Sequence, residues 1–151
     1  MKRLLFLCLL LPLTTFAQKE IPSKTNSIIL VNKNTAYANF TDVRLLLTKM
    51  NIEIADLDKD RFQIKTGSIV VNDQATAYFD FDCRDDKITV TGKWKSNTEI
   101  DTAGVPIKNS YLRIDNSGTA NSIHKAAFEK MNALAKKFGT VLTYEFSKYL
   151  D

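Results

Sequence analysis

The stretch from Gln74 to Ser96, QATAYFDFDCRDDKITVTGKWKS, constrains the fold more than any other part of the chain. In its first arm Ala75, Ala77, Phe79, Phe81 and Cys83 alternate with Gln74, Thr76, Tyr78, Asp80 and Asp82. In its second arm Ile88, Val90, Gly92 and Trp94 alternate with Lys87, Thr89, Thr91, Lys93 and Lys95. Period-two alternation is the mark of a strand with one buried and one wet face, so the stretch predicts a β-hairpin lying on a core. The apolar positions are odd-numbered in one arm and even-numbered in the other. A one-residue slip would turn one arm's apolar set to water, which excludes a three-residue loop. A two-residue loop at Arg84 and Asp85, or a four-residue loop from Cys83 to Asp86, gives one register. It sets Phe81 against Ile88, Phe79 against Val90, Ala77 against Gly92 and Ala75 against Trp94, with Asp82 against Lys87 on the wet face. Without Asn-Gly or Asp-Gly at the tip, the four-residue loop is expected. The small pair Ala77 and Gly92 leaves a dip, over which a helix is expected to cross.

The rest of the chain supplies partners for that hairpin. Ile28 to Val31 form a compact apolar run suited to a first strand. Thr35 then caps a helix over Ala36 to Asn51, with Tyr37, Phe40, Val43, Leu46, Leu47 and Met50 on one stripe. Asn39-Phe40-Thr41 matches a glycosylation sequon but falls inside that helix. Ile52 and Ile54 open a second strand, Asp58-Lys59-Asp60 turn the chain, and Phe62 and Ile64 answer from a third, with Ile54 expected opposite Ile64. Past Gly67 the apolar positions change from even to odd at Ile69 and Val71, which calls for a bulge or break around Thr66 to Ser68.

After the hairpin, Asn97 to Asn109 reads as a long polar connection. A second helix starts near Thr119 or Asn121 and stops at Gly139, with Ile123, Ala127, Met131, Leu134, Ala135 and Phe138 inward. Short extra strands are candidates near 111–114 and 141–146, the latter open to a helical reading. The expected fold is α+β: a curved antiparallel sheet in the order β-α-β-β-β-β-α, with both helices packed on one face.

Met1 to Ala17 has the layout of a secretory signal peptide: Lys2 and Arg3, an apolar run from Leu4 to Leu13, then Thr15-Phe16-Ala17. The run is too short for a membrane span. The reading divides the chain into a signal peptide (1–17), an irregular leader (18–27) and one domain (28–151), exported to the periplasm or beyond. Cleavage would remove two basic residues and no acid, lowering the formal charge from +4 to +2. A nearly neutral exported domain gives no electrostatic footprint for nucleic acid. Cys83 would be the only cysteine left, so no internal disulfide is expected.

No convincing catalytic set emerges. His124 is the only histidine, and Cys83 lies on the apolar face beside acids, which disfavours a thiolate. Asp56, Asp58 and Asp60 have the spacing that opens a calcium loop, but Arg61 stands where glycine is needed and Gly67 where a bidentate glutamate is needed. No cofactor and no metal site is expected. The best candidate for recognition is the wet face of the hairpin, with Thr76, Tyr78, Asp80, Asp82, Thr89, Thr91 and Lys93 as binding residues for a peptide, a glycan or another protein. Two alternatives stand beside it: a metal-dependent or carboxylate-based hydrolase using Asp80, Asp82 and Asp85 or Asp86, and a homodimer through a sheet edge.

The helix phrase TAYANFTDVRLLLTKM followed at once by IEIADLDKDRFQIKTG resembles small exported proteins of Bacteroidetes-type bacteria classed as a domain of unknown function with a TBP-like fold. The same phrase is similar to bacterial envelope lipoprotein domains. The likeness spans most of Ile28 to Phe138. It implies a curved antiparallel sheet backed by two helices, and no established activity. DNA binding does not carry over from the TATA-binding protein, because Asp80 and Asp82 would face the phosphates.

Overall fold

The computed structural model describes residues 20–97, 111–139 and 141–148. The signal-peptide reading of 1–17 and nearly all of the connection read at 97–109 lie outside those residues. The described chain runs β1 (Ser27–Val31), α1 (Ala36–Lys49), β2 (Ile54–Asp58), β3 (Gln63–Thr66), β4 (Ile69–Asn72), β5 (Ala75–Arg84), β6 (Lys87–Ser96), β7 (Leu112–Arg113), α2 (Ile123–Ala135) and β8 (Leu142–Glu145). The strands make one open antiparallel sheet in the order β2-β3-β5-β6-β1-β8, with β4 also on β5 and β7 also on β6. The α+β architecture read from the sequence is the one observed. The two candidate short strands are β7 and β8, so Leu142–Glu145 is extended rather than helical.

β5 and β6 are the longest of the described strands, and buried residues alternate with half-buried or exposed ones along all of β5 and along β6 as far as Lys95. Ala75, Ala77, Phe79, Phe81 and Cys83 join Ile88, Val90 and Trp94 in one core with Phe40, Val43 and Leu47 of α1 and Ala127, Phe128, Met131 and Leu134 of α2. Both helices thus cover the same sheet face. The pairing differs from the sequence reading by two residues: Phe81 faces Val90, Phe79 faces Gly92, Ala77 faces Trp94, and Asp82 faces Thr89 rather than Lys87. Parity is preserved, so every side chain keeps its face.

The cause of the shift is the tip. Arg84 pairs with Lys87, leaving a two-residue turn of Asp85 and Asp86 in which Asp86 is left-handed (φ 62). Tertiary contacts hold that turn. Asp86 N–H donates to the Asn34 carbonyl (2.8 Å), Asn32 N–H donates to the Asp86 carbonyl (2.9 Å), and the first helical amide, Ala36 N–H, donates to Asp85 Oδ1 (2.7 Å). From inside α1, the fully buried Asn39 donates its amide to the Arg84 carbonyl (2.8 Å) and accepts from Asn32 Nδ2 (2.7 Å). The sequon asparagine is therefore a structural latch. A carboxylate at a helix N-terminus also meets the positive end of the helix dipole.

The dip at Gly92 is filled. A Cβ on Gly92 would meet the Tyr78 carbonyl at 2.7 Å, the Phe79 ring at 2.8 Å and Ile114 at 3.0 Å. The Phe79 ring and the residue after β7 come closest to the space at Gly92, and α2 packs on both β5 and β6.

The predicted phase break is present. Residues paired between β3 and β5, such as Ile64 with Phe81, are out of step by one with those paired between β4 and β5, such as Ile69 with Ala77. Strands β3 and β4 are thus one line along β5 with an extra residue inserted. The Phe79 amide in the gap is satisfied by the Thr66 hydroxyl (3.0 Å), and Gly67 N–H reaches the Glu53 carbonyl (2.8 Å). The β2–β3 pairing differs from the expected one. Leu57, not Ile54, faces Ile64, and Phe62 sits in the turn with φ 55, where its ring packs edge-on against Phe40 (5.8 Å) and Tyr37 (6.4 Å).

Thr35 caps α1 as predicted, accepting from Ala38 N–H. The helix ends with Asn51 left-handed, Asn51 N–H on the Thr48 carbonyl and Ile52 N–H on the Leu47 carbonyl (2.9 Å), the doubled pattern that closes a helix at its C-terminus. Its buried stripe is narrower than predicted, since Tyr37 and Met50 are exposed. Ser122 caps α2.

Segment 20–26, read as irregular leader, is built into the fold. Asn26 is buried and its amide pairs both ways with the Ser147 backbone (3.0 and 2.9 Å). Asn116 donates to the Ile21 and Pro22 carbonyls (both 2.9 Å) and accepts from Lys125 Nζ (2.6 Å).

Candidate functional site

The face of the sheet away from the helices is built in transverse rows, because antiparallel pairing sets like-facing residues side by side. One row runs Asp58, Gln63, Asp82, Thr89, Ile29 and Thr143 across six strands. The next runs Asp56, Lys65, Asp80 and Thr91, and a third runs Tyr78, Lys93 and Arg113. These rows enclose a groove of ≈ 360 Å³. Asp80, Asp82, Thr89, Thr91 and Lys93 line it, joined by Gln63, Lys65 and Arg113.

Five of the seven residues singled out in the sequence therefore share one concavity. Thr76 and Tyr78 continue the same face beyond it. Tyr78 packs edge-on against Tyr111 (5.3 Å), and Lys95 Nζ lies 5.8 Å from the Tyr111 ring centre. Tyr111 is 54% exposed, which leaves an aromatic surface beside the polar groove.

The two carboxylates differ in environment. Asp82 is held by its neighbours: Arg84 Nη2 lies 2.9 Å from Oδ1, Arg84 Nε donates to Oδ2 (3.1 Å), and Gln63 Nε2 donates to Oδ1 (3.2 Å). Asp80 has its pKa raised by burial, an effect that Lys65 and Lys93 oppose and Asp56 reinforces. Loss of hydration outweighs its two cationic neighbours, so its charge is disfavoured in place.

Asp85 and Asp86 do not join this pair, since Asp85 holds the helix N-terminus and Asp86 is latched through its backbone. Among the described residues no group of three or more His, Cys, Asp or Glu is placed to hold a metal ion. The aspartates of the partial calcium pattern have other partners: Asp58 Oδ1 accepts from Asp60 and Arg61 N–H, and Asp56 lies 3.8 Å from Lys65. Cys83 is fully buried, and burial, aided by Asp82, pushes its thiol up to about 12. His124 sits in the first turn of α2, edge-on against Trp94 (5.0 Å), with Nδ1 3.9 Å from Asp115. No helix among the described residues is long and apolar enough to cross a membrane.

No known protein family matches the chain, and no curated protein does. Among solved structures, a TBP-like protein from Parabacteroides distasonis is similar to it, with a TM-score of 0.48 at 15% sequence identity over 74% of this chain and 87% of that one.

Gln63, Lys65 and Arg113 were not among the residues named from the sequence. The polar parity of β3 points Gln63 and Lys65 to the wet face, but only the β3–β5 register places them beside Asp82 and Asp80. Arg113 belongs to a two-residue strand, too short for periodicity to orient.

Proposed function

We propose that the chain is an exported, non-enzymatic binding domain of the bacterial envelope or its surroundings, and that the groove on the polar sheet face holds a small polar ligand, best served by a saccharide unit. The observation that carries the reading is the gathering of Asp80, Asp82, Thr89, Thr91 and Lys93 in one concavity, with Asp80 kept there at a cost to its own hydration. A solvated sheet face has no need of a half-buried carboxylate, whereas binding sites often retain groups that are poorly placed for stability. Carboxylates and threonine hydroxyls match the donors and acceptors of sugar hydroxyls, Lys65 and Lys93 suit an acidic sugar, and the exposed Tyr111 ring offers a stacking surface at the rim. The groove is at the small end of ligand sites, which suits one or two sugar units.

The test is titration calorimetry against neutral and acidic oligosaccharides, with Thr91→Trp to fill the groove and Lys93→Glu to reverse its charge. Binding lost in the first variant and weakened selectively for acidic sugars in the second supports the proposal. Saccharide binding that survives Thr91→Trp, or its absence from the folded parent protein, removes it.

A further inference from the structure

A second hollow lies on the opposite side of the sheet, between the C-terminal end of α1 and the C-terminal half of α2. It measures ≈ 280 Å³ and is lined by Met50, Ile52, Ile69, Phe79, Ala133 and Leu134, with Lys130 and Lys137 at its edge. Its floor is core: Phe79 is fully buried and Leu134 nearly so. Its walls are half-open, since Ile52 and Ile69 are only partly covered and Met50 is exposed. Among the described residues no acidic one lines it.

The two lysines are the informative feature. Lys130 stands on α2 and Lys137 in the turn just past its end, and both border the hollow. Neither makes an ion pair among the described residues. Lys137 suits the carbonyl end of α2, but Lys130 lies mid-helix, where that account does not reach. Long lysine arms can lie along apolar surface and bring both ammonium groups to one anion at the mouth.

We infer that this hollow binds a free single-chain amphiphile with an anionic head, a medium-chain fatty acid, its alkyl chain along Met50, Ile52, Ile69 and Leu134 toward Phe79 and its carboxylate between Lys130 and Lys137. The charge at the rim selects the head group, and the size of the hollow admits one short chain and no more. The site is independent of the polar groove, which lies across the sheet.

The test uses sodium decanoate below its micellar concentration, followed by amide NMR shifts on the full-length chain. Saturable shifts should centre on Met50, Ile52, Ile69 and Leu134, and decyltrimethylammonium should bind about tenfold more weakly or worse. Ala133 is exposed at the wall, so Ala133→Trp should fill the hollow without disturbing the core and abolish the saturable shifts, its folding checked by an unchanged thermal melt. Lys130→Glu with Lys137→Glu should weaken decanoate about tenfold while leaving decanol unaffected. The inference is overturned if decanoate gives no saturable shifts, if the cationic amphiphile binds as well, or if binding survives Ala133→Trp. It is also overturned if the protein floats with phosphatidylglycerol vesicles and free decanoate does not displace it, which would make the patch a membrane contact.

Discussion

Replacing Phe79 by alanine probes the core at the point where most of the structure meets. Its ring is fully buried, fills the space left by Gly92 and lies beneath both Ile114 and the apolar hollow. Phe→Ala substitutions in such settings cost about 3–5 kcal/mol, the larger values arising where neighbours cannot collapse into the space. Gly92 has no side chain to move, so a loss of about 4 kcal/mol is expected. A urea m-value of about 1.5 kcal/mol/M then lowers the unfolding midpoint by about 2.7 M, a large part of the stability of an ordinary domain. Urea titration by circular dichroism reads this directly. Val70, 64% exposed on β4, is the control, and Val70→Ala should change stability by no more than about 0.5 kcal/mol. A midpoint for Phe79→Ala within about 0.5 M of the parent's would refute the assignment of faces on β5.

Asn39→Ala leaves the Arg84 carbonyl and the Asn32 amide without their partner, which should cost about 1–3 kcal/mol and speed hydrogen exchange at the Asp86 amide more than in the core strands. Cys83, buried and raised to about 12, should resist a thiol-reactive disulfide reagent at pH 8 until urea unfolds the chain; rapid native reaction would contradict its burial. Asp80 has a raised folded-state pKa, so the folded state holds its proton more tightly than the unfolded one. Its penalty is absent below the unfolded pKa of about 4 and grows as pH rises through the folded value. Asp80→Asn should therefore raise the melting temperature at pH 7, with the gain vanishing below about pH 4; an equal gain at both pH values would show that the charge is not the cause.

The alternation in β5 and β6 was enough to assign every residue to a face, because period two responds only to parity. It could not choose between registers that differ by two, and that choice is made by contacts distant in sequence: Asn34, Ala36 and Asn39 gripping Asp85, Asp86 and Arg84. The break between β3 and β4 was legible for the opposite reason, since an inserted residue changes parity and leaves its mark in the letters. Phe62 misled the reading of β2 and β3, because an apolar residue in a left-handed turn satisfies its burial against Tyr37 and Phe40 rather than in a strand. In the candidate site, Asp80, Asp82, Thr89, Thr91 and Lys93 were visible as one arm-to-arm face. Lys65 and Arg113 complete it only through pairings that a single strand's pattern does not encode.

Amide NMR mapping of an oligosaccharide that binds the protein tests the central claim most directly. The account predicts that the largest shifts fall on Lys65, Asp80, Asp82, Thr89, Thr91 and Lys93, with the Tyr111 ring resonances moving alongside them. Shifts centred on α1 and α2, with the sheet residues unmoved, would contradict it.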